Sequence, residues 1–324
     1  MGILQTAERS THLDPSENVI YQRHLIAYKE AANLVSGTVL EIGIGTGLNL
    51  PFYNLNNINK IIGLEPSKKM NVICITGTNG KTSITQILYQ ILLRLDKNCG
   101  ALGTLGFQTP TGMLSSGFTT LESVELQQML NTLRVAGVND VIMEISSHAL
   151  NLCRVEDVDV NIAVFSNLTP EHLDFHGDME TYFQSKLKLF SKLNKKNTAI
   201  INLDDPYAKR IIAATSANCM TYGMVQYADL YPLNTKFGLN GIQAQLKYGD
   251  VILSINSNLL GEYNLYNIMT AIAVCLSMDI QPEIISRAMQ QSLVIPGRLE
   301  SIPAKNPGKI FIDYAHTPDA YEKL

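Results

Sequence analysis

Dense runs of lysine and arginine are absent from this 324-residue sequence, whose formal net charge is −4. Non-specific binding to nucleic acid or to a membrane surface requires a basic face. Short pairs such as Lys68-Lys69 and Lys195-Lys196 are typical of solvated surface. We therefore expect neither nucleic acid nor a membrane as a partner. The 46% of hydrophobic residues is enough for a sizeable core, in two domains.

Cysteines are few, and no C-x-x-C spacing suggests zinc or a disulfide framework. The five are scattered at Cys74, Cys99, Cys153, Cys219 and Cys275. The sequence has no apolar run of the ~18 residues that a membrane span needs, and its first residues are too polar for a signal peptide. These absences predict buried thiols in a reducing compartment and a cytoplasmic location.

Short β-branched runs alternate with stretches of helical periodicity, which is typical of βα units on a parallel sheet. The predicted fold class is therefore α/β, a mostly parallel sheet flanked by helices. Candidate strands are 38–43, 60–65, 71–76, 141–145, 161–166 and 198–202. Candidate helices begin at Lys81, Ser123, Met179 and Asn264. Residues 238–261 alternate like a β-hairpin, with its turn near 248–250.

The strongest chemical signal is ITGTNGKTS, residues 75–83, which follows an apolar strand and opens a helix. Helix N-termini hold phosphate, glycines let the backbone approach it, and a lysine neutralises its charge. The spacing is two residues shorter than the general G-x-x-x-x-G-K-[ST] pattern. The alternative is a strand-to-helix turn with an exposed lysine. The candidate nucleotide-binding residues are Gly77, Thr78, Asn79, Gly80, Lys81, Thr82 and Ser83.

A carboxylate, Glu144, ends the predicted strand 141–145 and should lie at the same sheet edge as the loop. Burying it is costly without a partner, and Mg²⁺ takes oxygen ligands, so Glu144 is a candidate metal ligand alongside the Thr82 hydroxyl. The alternative is a strand-end glutamate that reaches solvent. His148, nearby in sequence, is more typical of a structural histidine.

A dense polar stretch follows the next apolar strand, at residues 166–186. His172 and His176 are four residues apart, which on a helix would form a metal pair. Pro170 and Gly177 argue against a continuous helix there. On sequence grounds alone, Lys186 would be a surface lysine on a helix.

Seven motifs then follow one another in a recognisable order: GTNGKT, TTLES, MEISSHAL, NLTPEHLDFHGDMETYFQSK, GEYNLYN, IPGRLE and IDYAHTPDAYEK. From Asn71 to Leu324 the chain resembles the Mur ligases, most closely the MurE type. The resemblance implies an ATP-binding central domain over 71–297, of the phosphate-loop type, and the opening of a third domain over 298–324.

Site roles follow from the resemblance residue by residue. It implies that Lys81 and Thr82 hold ATP phosphates and a first Mg²⁺, that Glu144 is shared between two Mg²⁺ ions, and that His172 binds the second. Lys186 matches the family's carbamylated lysine, which helps to organise that second metal. Four residues match contacts to the UDP-muramoyl peptide: Thr119, Thr120, Ser146 and Arg154. Four match the adenine, phosphate and ribose side of ATP: Asn264, Asn267, Arg298 and Asp313.

The implied reaction is ATP-dependent amide-bond formation through an acyl phosphate. A Mur ligase of this type adds lysine or diaminopimelate to UDP-N-acetylmuramoyl-dipeptide during peptidoglycan precursor synthesis. The chain stops at Leu324, before most of the third domain, so we expect binding to be more robust than turnover. A catalytically silent ATP-binding module is therefore an alternative.

Residues 1–70 do not resemble the family's first domain. VLEIGIGTG and GLEPS resemble the opening of a class I S-adenosylmethionine methyltransferase, with the glycine loop Gly43, Gly45, Gly47 and an acidic residue, Glu65, for ribose hydroxyls. Only two strands of that partial Rossmann-like segment precede Asn71. We interpret it as a truncated remnant or an artificial join, with methyltransferase activity as the further alternative.

Overall fold

The computed structural model describes residues 37–42, 58–64, 70–109, 112–114, 119–302 and 310–315. The early strands are β1 (Gly37–Ile42), β2 (Ile58–Leu64), β3 (Asn71–Thr76), β4 (Cys99–Gly103), β5 (Gly106–Thr109), β6 (Gly112–Leu114), β7 (Asp140–Glu144) and β8 (Ile162–Phe165). The later strands are β9 (Thr198–Asn202), β10 (Asn218–Tyr222), β11 (Leu230–Gly238), β12 (Gly241–Tyr248), β13 (Val251–Ser257), β14 (Glu300–Ile302) and β15 (Ile310–Ile312).

Helices connect the strands and cover the sheet. They are α1 (Lys81–Arg94), α2 (Ser123–Val135), α3 (Ser147–Asn151), α4 (Leu173–His176), α5 (Met179–Ser191), α6 (Ala208–Ala214), α7 (Glu262–Ser277) and α8 (Pro282–Ala288). In the described part of the chain, no helix is both long and apolar enough to cross a bilayer.

The central sheet has eleven strands in the order β13-β12-β11-β10-β9-β8-β3-β7-β4-β5-β6. The strands from β10 to β4 run parallel, whereas β11–β13 and β4–β6 pair in antiparallel fashion. The central parallel strands β3, β7 and β8 are buried on both faces, as parallel sheets covered by helices require. The α/β prediction, a mostly parallel sheet flanked by helices, is confirmed.

Two apolar layers hold the helices on the sheet, and alternate residues of β3 supply both. Ile73 and Ile75 pack in the layer that includes α1, α7 and α8. Val72 and Cys74 pack in the opposite layer, which includes α2 and α5. Strand β3 lies between β7 and β8, so its carboxyl end is flanked by two buried strands.

Most strands and helices predicted from the sequence are confirmed. Strands β3 and β9 match their predicted bounds, α1, α2 and α5 begin where expected, and α7 begins two residues before Asn264. The predicted hairpin is β12–β13, with Gly249 and Asp250 between its strands. Strands β4 and β10 were missed because CGALG and NCMTY lack a run of β-branched residues.

The two strands predicted in residues 1–70 are confirmed as a parallel pair, β1 and β2. Gly43, Gly45, Gly47 and Glu65, the residues proposed for S-adenosylmethionine, lie outside the described residues.

Candidate functional site

The loop between β3 and α1, residues 77–80, has a backbone that only glycine adopts readily at two positions. Gly77 has φ 149° and Gly80 has φ 90°. A Cβ at Gly77 would lie 1.9 Å from Ser166 Oγ, and one at Gly80 would lie 2.5 Å from Asn267 Oδ1. The glycines therefore permit both the turn and the close approach of neighbouring elements.

The segment that follows β8, residues 166–169, supports this loop through hydrogen bonds. Thr78 N donates to Asn167 O (2.8 Å), and Asn79 N donates to Asn167 Oδ1 (2.8 Å). Ser166 Oγ donates to Asn79 O (2.6 Å). The Thr78 hydroxyl donates to Thr169 O (3.1 Å). We call residues 166–169 the support loop, because its contacts fix the backbone of the phosphate-loop candidate.

Lys81, the first residue of α1, folds back onto the loop. Its Nζ donates to Thr78 O (2.7 Å) and Gly77 O (3.0 Å). Burial lowers the pKa of Lys81, and the charges of Glu171 and Glu144 partly oppose this. The next two residues of the helix, Thr82 and Ser83, are buried. Lys81 itself is partly buried, whereas the alternative of a plain strand-to-helix turn expected an exposed lysine.

Glu144 is buried at the end of β7, with 1% of its surface exposed. Its Oε2 accepts hydrogen bonds from Thr82 Oγ1 (2.8 Å) and Thr104 Oγ1 (3.0 Å), and its Oε1 accepts from Thr104 N (3.1 Å). Burial raises the pKa of this carboxyl, and the Thr82 hydrogen bond and the Lys81 charge lower it in part. The alternative of a solvent-reaching glutamate is wrong. A hydroxyl and a carboxylate in contact form an oxygen-donor set that suits Mg²⁺.

Lys186 lies on the buried face of α5, with 1% of its surface exposed, so its interpretation as a surface lysine is wrong. Its Nζ donates to Gly77 O (2.9 Å) and lies 4.6 Å from the centre of the Tyr182 ring. Burial, followed by the charge of Lys81, holds the pKa of this amine well below its usual range.

The two histidines of the polar stretch have different surroundings. His172 precedes α4 with φ 56°, its side chain is 44% exposed, and its ring lies edge-on to His148 at 4.7 Å. His176 is buried, with Nε2 3.0 Å from Ser147 Oγ and Nδ1 3.4 Å from Ser185 Oγ. Both ring nitrogens of His176 thus face hydroxyls. The predicted pair of metal-binding histidines on one face of a helix, His172 and His176, therefore does not form. Among the described residues, no group of three or more His, Cys, Asp or Glu could hold a metal.

The four residues assigned to the muramoyl peptide surround the end of β7. Thr120 Oγ1 donates to Glu144 O (2.9 Å) and accepts from Ser146 N (3.1 Å). Arg154 Nη1 donates to Thr120 O (3.4 Å), and Arg154 Nη2 lies 2.5 Å from Glu122 Oε1. The Thr119 hydroxyl lies 3.1 Å from that of Thr104. These residues therefore lie around the end of β7, the strand that Glu144 terminates.

The residues assigned to the base and ribose lie on α7 and near β14–β15. Asn267 Nδ2 donates to Asn264 Oδ1 (3.0 Å), and Asn264 Nδ2 donates to Leu260 O (2.8 Å). The closeness of Asn267 to Gly80 brings α7 against the loop. Arg298 lies over the ring of Tyr314 at 5.1 Å. Asp313 accepts from Leu299 N and Ala315 N, both at 2.7 Å.

Among the polar residues that were missed from the sequence, Thr104, Asp204 and Asp205 hold other parts of the site in place. The main-chain N and the hydroxyl of Thr104 both donate hydrogen bonds to the Glu144 carboxylate. Asp204 and Asp205 follow β9 and accept hydrogen bonds from Tyr266 OH and Leu168 N. The run Asn202-Leu-Asp-Asp-Pro after a strand was an available signal, but it is also typical of an ordinary turn.

Comparisons with known proteins agree with this geometry. The family model described as "Mur ligase middle domain" matches residues 75–275. A UDP-N-acetylmuramoyl-L-alanyl-D-glutamate–2,6-diaminopimelate ligase of Syntrophomonas wolfei is 40% identical over 262 residues, covering 80% of this chain and 54% of the relative. The enzyme of that name from Synechococcus elongatus is 34% identical over 305 residues, covering 94% of this chain and 59% of the relative.

Solved structures show the same fold. A structure of a UDP-N-acetylmuramoyl-L-alanyl-D-glutamate–2,6-diaminopimelate ligase superposes with a TM-score of 0.70 at 25% identity, covering 89% of this chain and 67% of that one. MurF ligase from Thermotoga maritima in complex with ADP superposes with a TM-score of 0.62 at 17% identity, covering 90% and 72%. At 17% identity, the similarity to the MurF ligase shows a shared fold alone.

The comparisons do not support the methyltransferase resemblance. An alignment over 94% of the chain extends into residues 1–70, and its partner is a diaminopimelate ligase. The chain spans about half the length of the curated relatives it matches. Because the family model covers more than half of the chain, and because the phosphate-loop candidate and Glu144 lie within that match, the chain belongs to the Mur ligase family through its middle domain.

Proposed function

We propose that this chain is the ATP-binding part of a ligase that adds an amino acid to UDP-N-acetylmuramoyl-dipeptide. The observation that carries the proposal is the contact between Thr82 and Glu144 beside a glycine loop that two lysines approach. A strand, a glycine loop and a helix N-terminus suit phosphate. The hydroxyl–carboxylate pair suits a divalent cation.

In this proposal the loop residues 77–83 bind the phosphates of ATP, and Lys81 turns from the loop carbonyls to the phosphate charge. Thr82 and Glu144 would hold Mg²⁺, which offsets negative charge on the transferring phosphoryl group. Asn264 and Asn267 contact the base, while Arg298 and Asp313 contact phosphate and ribose. Folylpolyglutamate synthase of Mycobacterium tuberculosis, which shares this fold, has been solved with ADP.

The proposed second metal position uses Glu144, His172 and a carbamylated Lys186. The low pKa of Lys186 favours the neutral amine, the form that reacts with carbon dioxide. Carbamylation would give this buried side chain a negative head near Lys81. The ring of His172 is 44% exposed, with its Nε2 3.7 Å from Glu171 Oε2, and in this proposal it turns to the metal.

A carboxylate is a poor electrophile at neutral pH, and the proposed chemistry activates it by phosphorylation. The carboxylate oxygen of the muramoyl peptide attacks the γ-phosphorus of ATP, ADP leaves, and an acyl phosphate forms. The incoming amine then attacks the acyl carbon, and phosphate leaves as the amide forms. Thr119, Thr120, Ser146 and Arg154 hold the peptide beside Glu144, so the chain contributes mainly positioning and electrostatic stabilisation.

Diaminopimelate is the amino acid that we favour over lysine, because it appears in the names of the curated relatives. The division into a central domain at 71–297 and a third domain from 298 belongs to this proposal, as does the cytoplasmic location, where ATP is supplied. A silent ATP-binding module is the outcome to be distinguished by experiment.

The test measures Mg·ATP binding by calorimetry, and then ADP release on addition of UDP-N-acetylmuramoyl-dipeptide with diaminopimelate or lysine. Lys81→Ala should abolish binding, whereas Lys195→Ala, at an exposed lysine, should leave it unchanged. Equal affinity in Lys81→Ala and the unaltered chain would contradict the assignment of the loop. Binding without ADP release would identify a silent module.

A further inference from the structure

The turn after β9 carries two adjacent carboxylates that contact different parts of the nucleotide site. Asp204 and Asp205 follow Asn202, the last residue of β9. The Asn202 side chain fixes the turn itself, because its Oδ1 accepts from Asp204 N (3.1 Å). From this turn one carboxylate contacts the support loop, and the other contacts α7.

Asp205 contacts the support loop. Its Oδ2 accepts from Leu168 N (2.7 Å), and its Oδ1 accepts from Tyr207 N (2.9 Å). The side chain is buried. Asn202 adds a second connection, because its Nδ2 donates to Ser166 O (2.8 Å). Residues 166 and 168 flank Asn167, whose main chain and side chain hold Thr78 and Asn79, so this carboxylate acts on the phosphate end through one intermediate segment.

Asp204 contacts α7. Its Oδ2 accepts from Tyr266 OH (2.8 Å) and from Met224 N (2.6 Å). Tyr266 immediately precedes Asn267, which lies against Gly80 and hydrogen-bonds Asn264. The Asp204–Tyr266 hydrogen bond therefore ties the turn to the helix that carries both candidate base contacts.

We propose that Asp204 and Asp205 are positioning residues that act on the nucleotide site by two different routes, Asp204 through the helix that carries the candidate base contacts and Asp205 through the support loop. The inference rests on the proposed function and adds residues to which that function assigned no role. Neither carboxylate contacts the phosphate loop directly in the hydrogen bonds described above. Asp205 acts through residues 166–169, and Asp204 acts through Tyr266 and α7.

Two ligands separate the two routes: Mg·ATP, and Mg·tripolyphosphate, which has neither base nor ribose. Tyr266→Phe removes the hydroxyl and keeps the ring. We expect it to weaken Mg·ATP about three- to tenfold, the usual range for one hydrogen bond, and to weaken Mg·tripolyphosphate less, because α7 also lies against Gly80. Tyr227→Phe, at a tyrosine that is 76% exposed, is the matched control and should change neither.

Asp205→Asn should weaken both ligands by the same factor, about tenfold. The amide has one acceptor oxygen and cannot serve both Leu168 N and Tyr207 N. Asp250→Asn, in the exposed β12–β13 turn, is its control. Asn202→Ala removes the hydrogen bonds to Ser166 O and from Asp204 N together, so it should also weaken both ligands, and it supplies a second variant if Asp205→Asn fails to give a cooperative melting curve.

Asp204 itself is tested by a double-mutant cycle with Tyr266. If the two act through one hydrogen bond, Asp204→Ala with Tyr266→Phe should bind Mg·ATP no more weakly than Asp204→Ala alone. Equal losses for both ligands in Tyr266→Phe, a base-dependent loss in Asp205→Asn, or additive effects in the cycle would each overturn the inference. An unaltered chain that binds neither ligand would instead remove the proposed function on which it rests.

Discussion

Lys81 and Lys186 donate to one and the same acceptor, the carbonyl oxygen of Gly77. One lysine opens α1 and the other lies within α5, so the contact joins two helices across the carboxyl end of β3. Lys186 is buried and Lys81 is partly buried, and burial lowers the pKa of each amine. The two amines thus meet at the backbone of the loop where we propose that phosphate binds.

Lys186→Met should change how stability depends on pH. The pKa of Lys186 is lowered in the folded chain. Between this lowered pKa and about 10.4, the value in the unfolded chain, the unfolded chain therefore binds a proton that the folded chain lacks. Stability of the unaltered chain therefore rises with pH in that window. Lys186→Met should be the more stable at pH 7 in carbonate-free buffer, with the difference shrinking towards pH 10. Urea unfolding measures it, with Lys195→Met as the control, and parallel pH profiles for wild type and Lys186→Met would contradict it.

Glu144→Gln should stabilise the free chain and weaken its response to Mg·ATP. The folded pKa of this carboxyl is raised, so above its ordinary value the folded chain retains a proton that the unfolded chain has released. Stability therefore falls as pH rises towards the folded pKa, and a penalty persists at neutral pH. The neutral amide removes that penalty together with the metal-binding charge. Melting temperatures with and without Mg·ATP test both effects. Glu125→Gln, on an exposed position of α2, should change neither.

Gly103→Ala should displace the Glu144 side chain. A Cβ at Gly103 would lie 2.1 Å from Glu144 Oε1, so the carboxylate must move from its contacts with Thr82 and Thr104. We expect a loss of about 1–3 kcal/mol in the free energy of unfolding, together with weaker Mg·ATP binding. Gly238→Ala is the matched control, because its Cβ would meet nothing within 4 Å. Equal unfolding midpoints for the two variants would refute the argument.

Arg94→Ala should loosen the attachment of α8 to the end of α1. Its guanidinium donates to Ala288 O (2.8 Å), Gln291 O (3.2 Å) and Ser292 O (2.6 Å), which are carbonyls at and beyond the end of α8. The expected cost is about 1–3 kcal/mol in urea unfolding. Arg134→Ala, whose guanidinium is exposed and hydrogen-bonds Asn131, should stay within about 0.5 kcal/mol of the unaltered chain.

The sheet and the loop could be predicted from the sequence because their signals are local. Strand β3 is a continuous apolar run, and GTNGKT after it specifies a glycine turn at a helix start. The environment of Lys186 could not be predicted in this way. Its burial depends on Gly77, which is distant in sequence and meets it only after α5 packs on the sheet. The roles of Asp204 and Asp205 could not be predicted either. An Asp-Asp-Pro sequence is typical of a solvent-exposed turn, and the hydrogen-bond partners of the two carboxylates, Tyr266 and Leu168, are distant in sequence.

The strand order has a consequence for the location of the site. From β3 the chain goes by way of α1 to strands on one side of the sheet, and it later crosses to β8, β9 and β10 on the other side. Adjacent strands whose onward connections leave in opposite directions form a topological switch point, which leaves a crevice at their carboxyl ends. Here the switch point lies between β3 and β8, which are followed by residues 77–80 and 166–169. The backbone path thus favours this sheet edge for the nucleotide that we propose, and side chains on the surrounding loops can change specificity without changing that location.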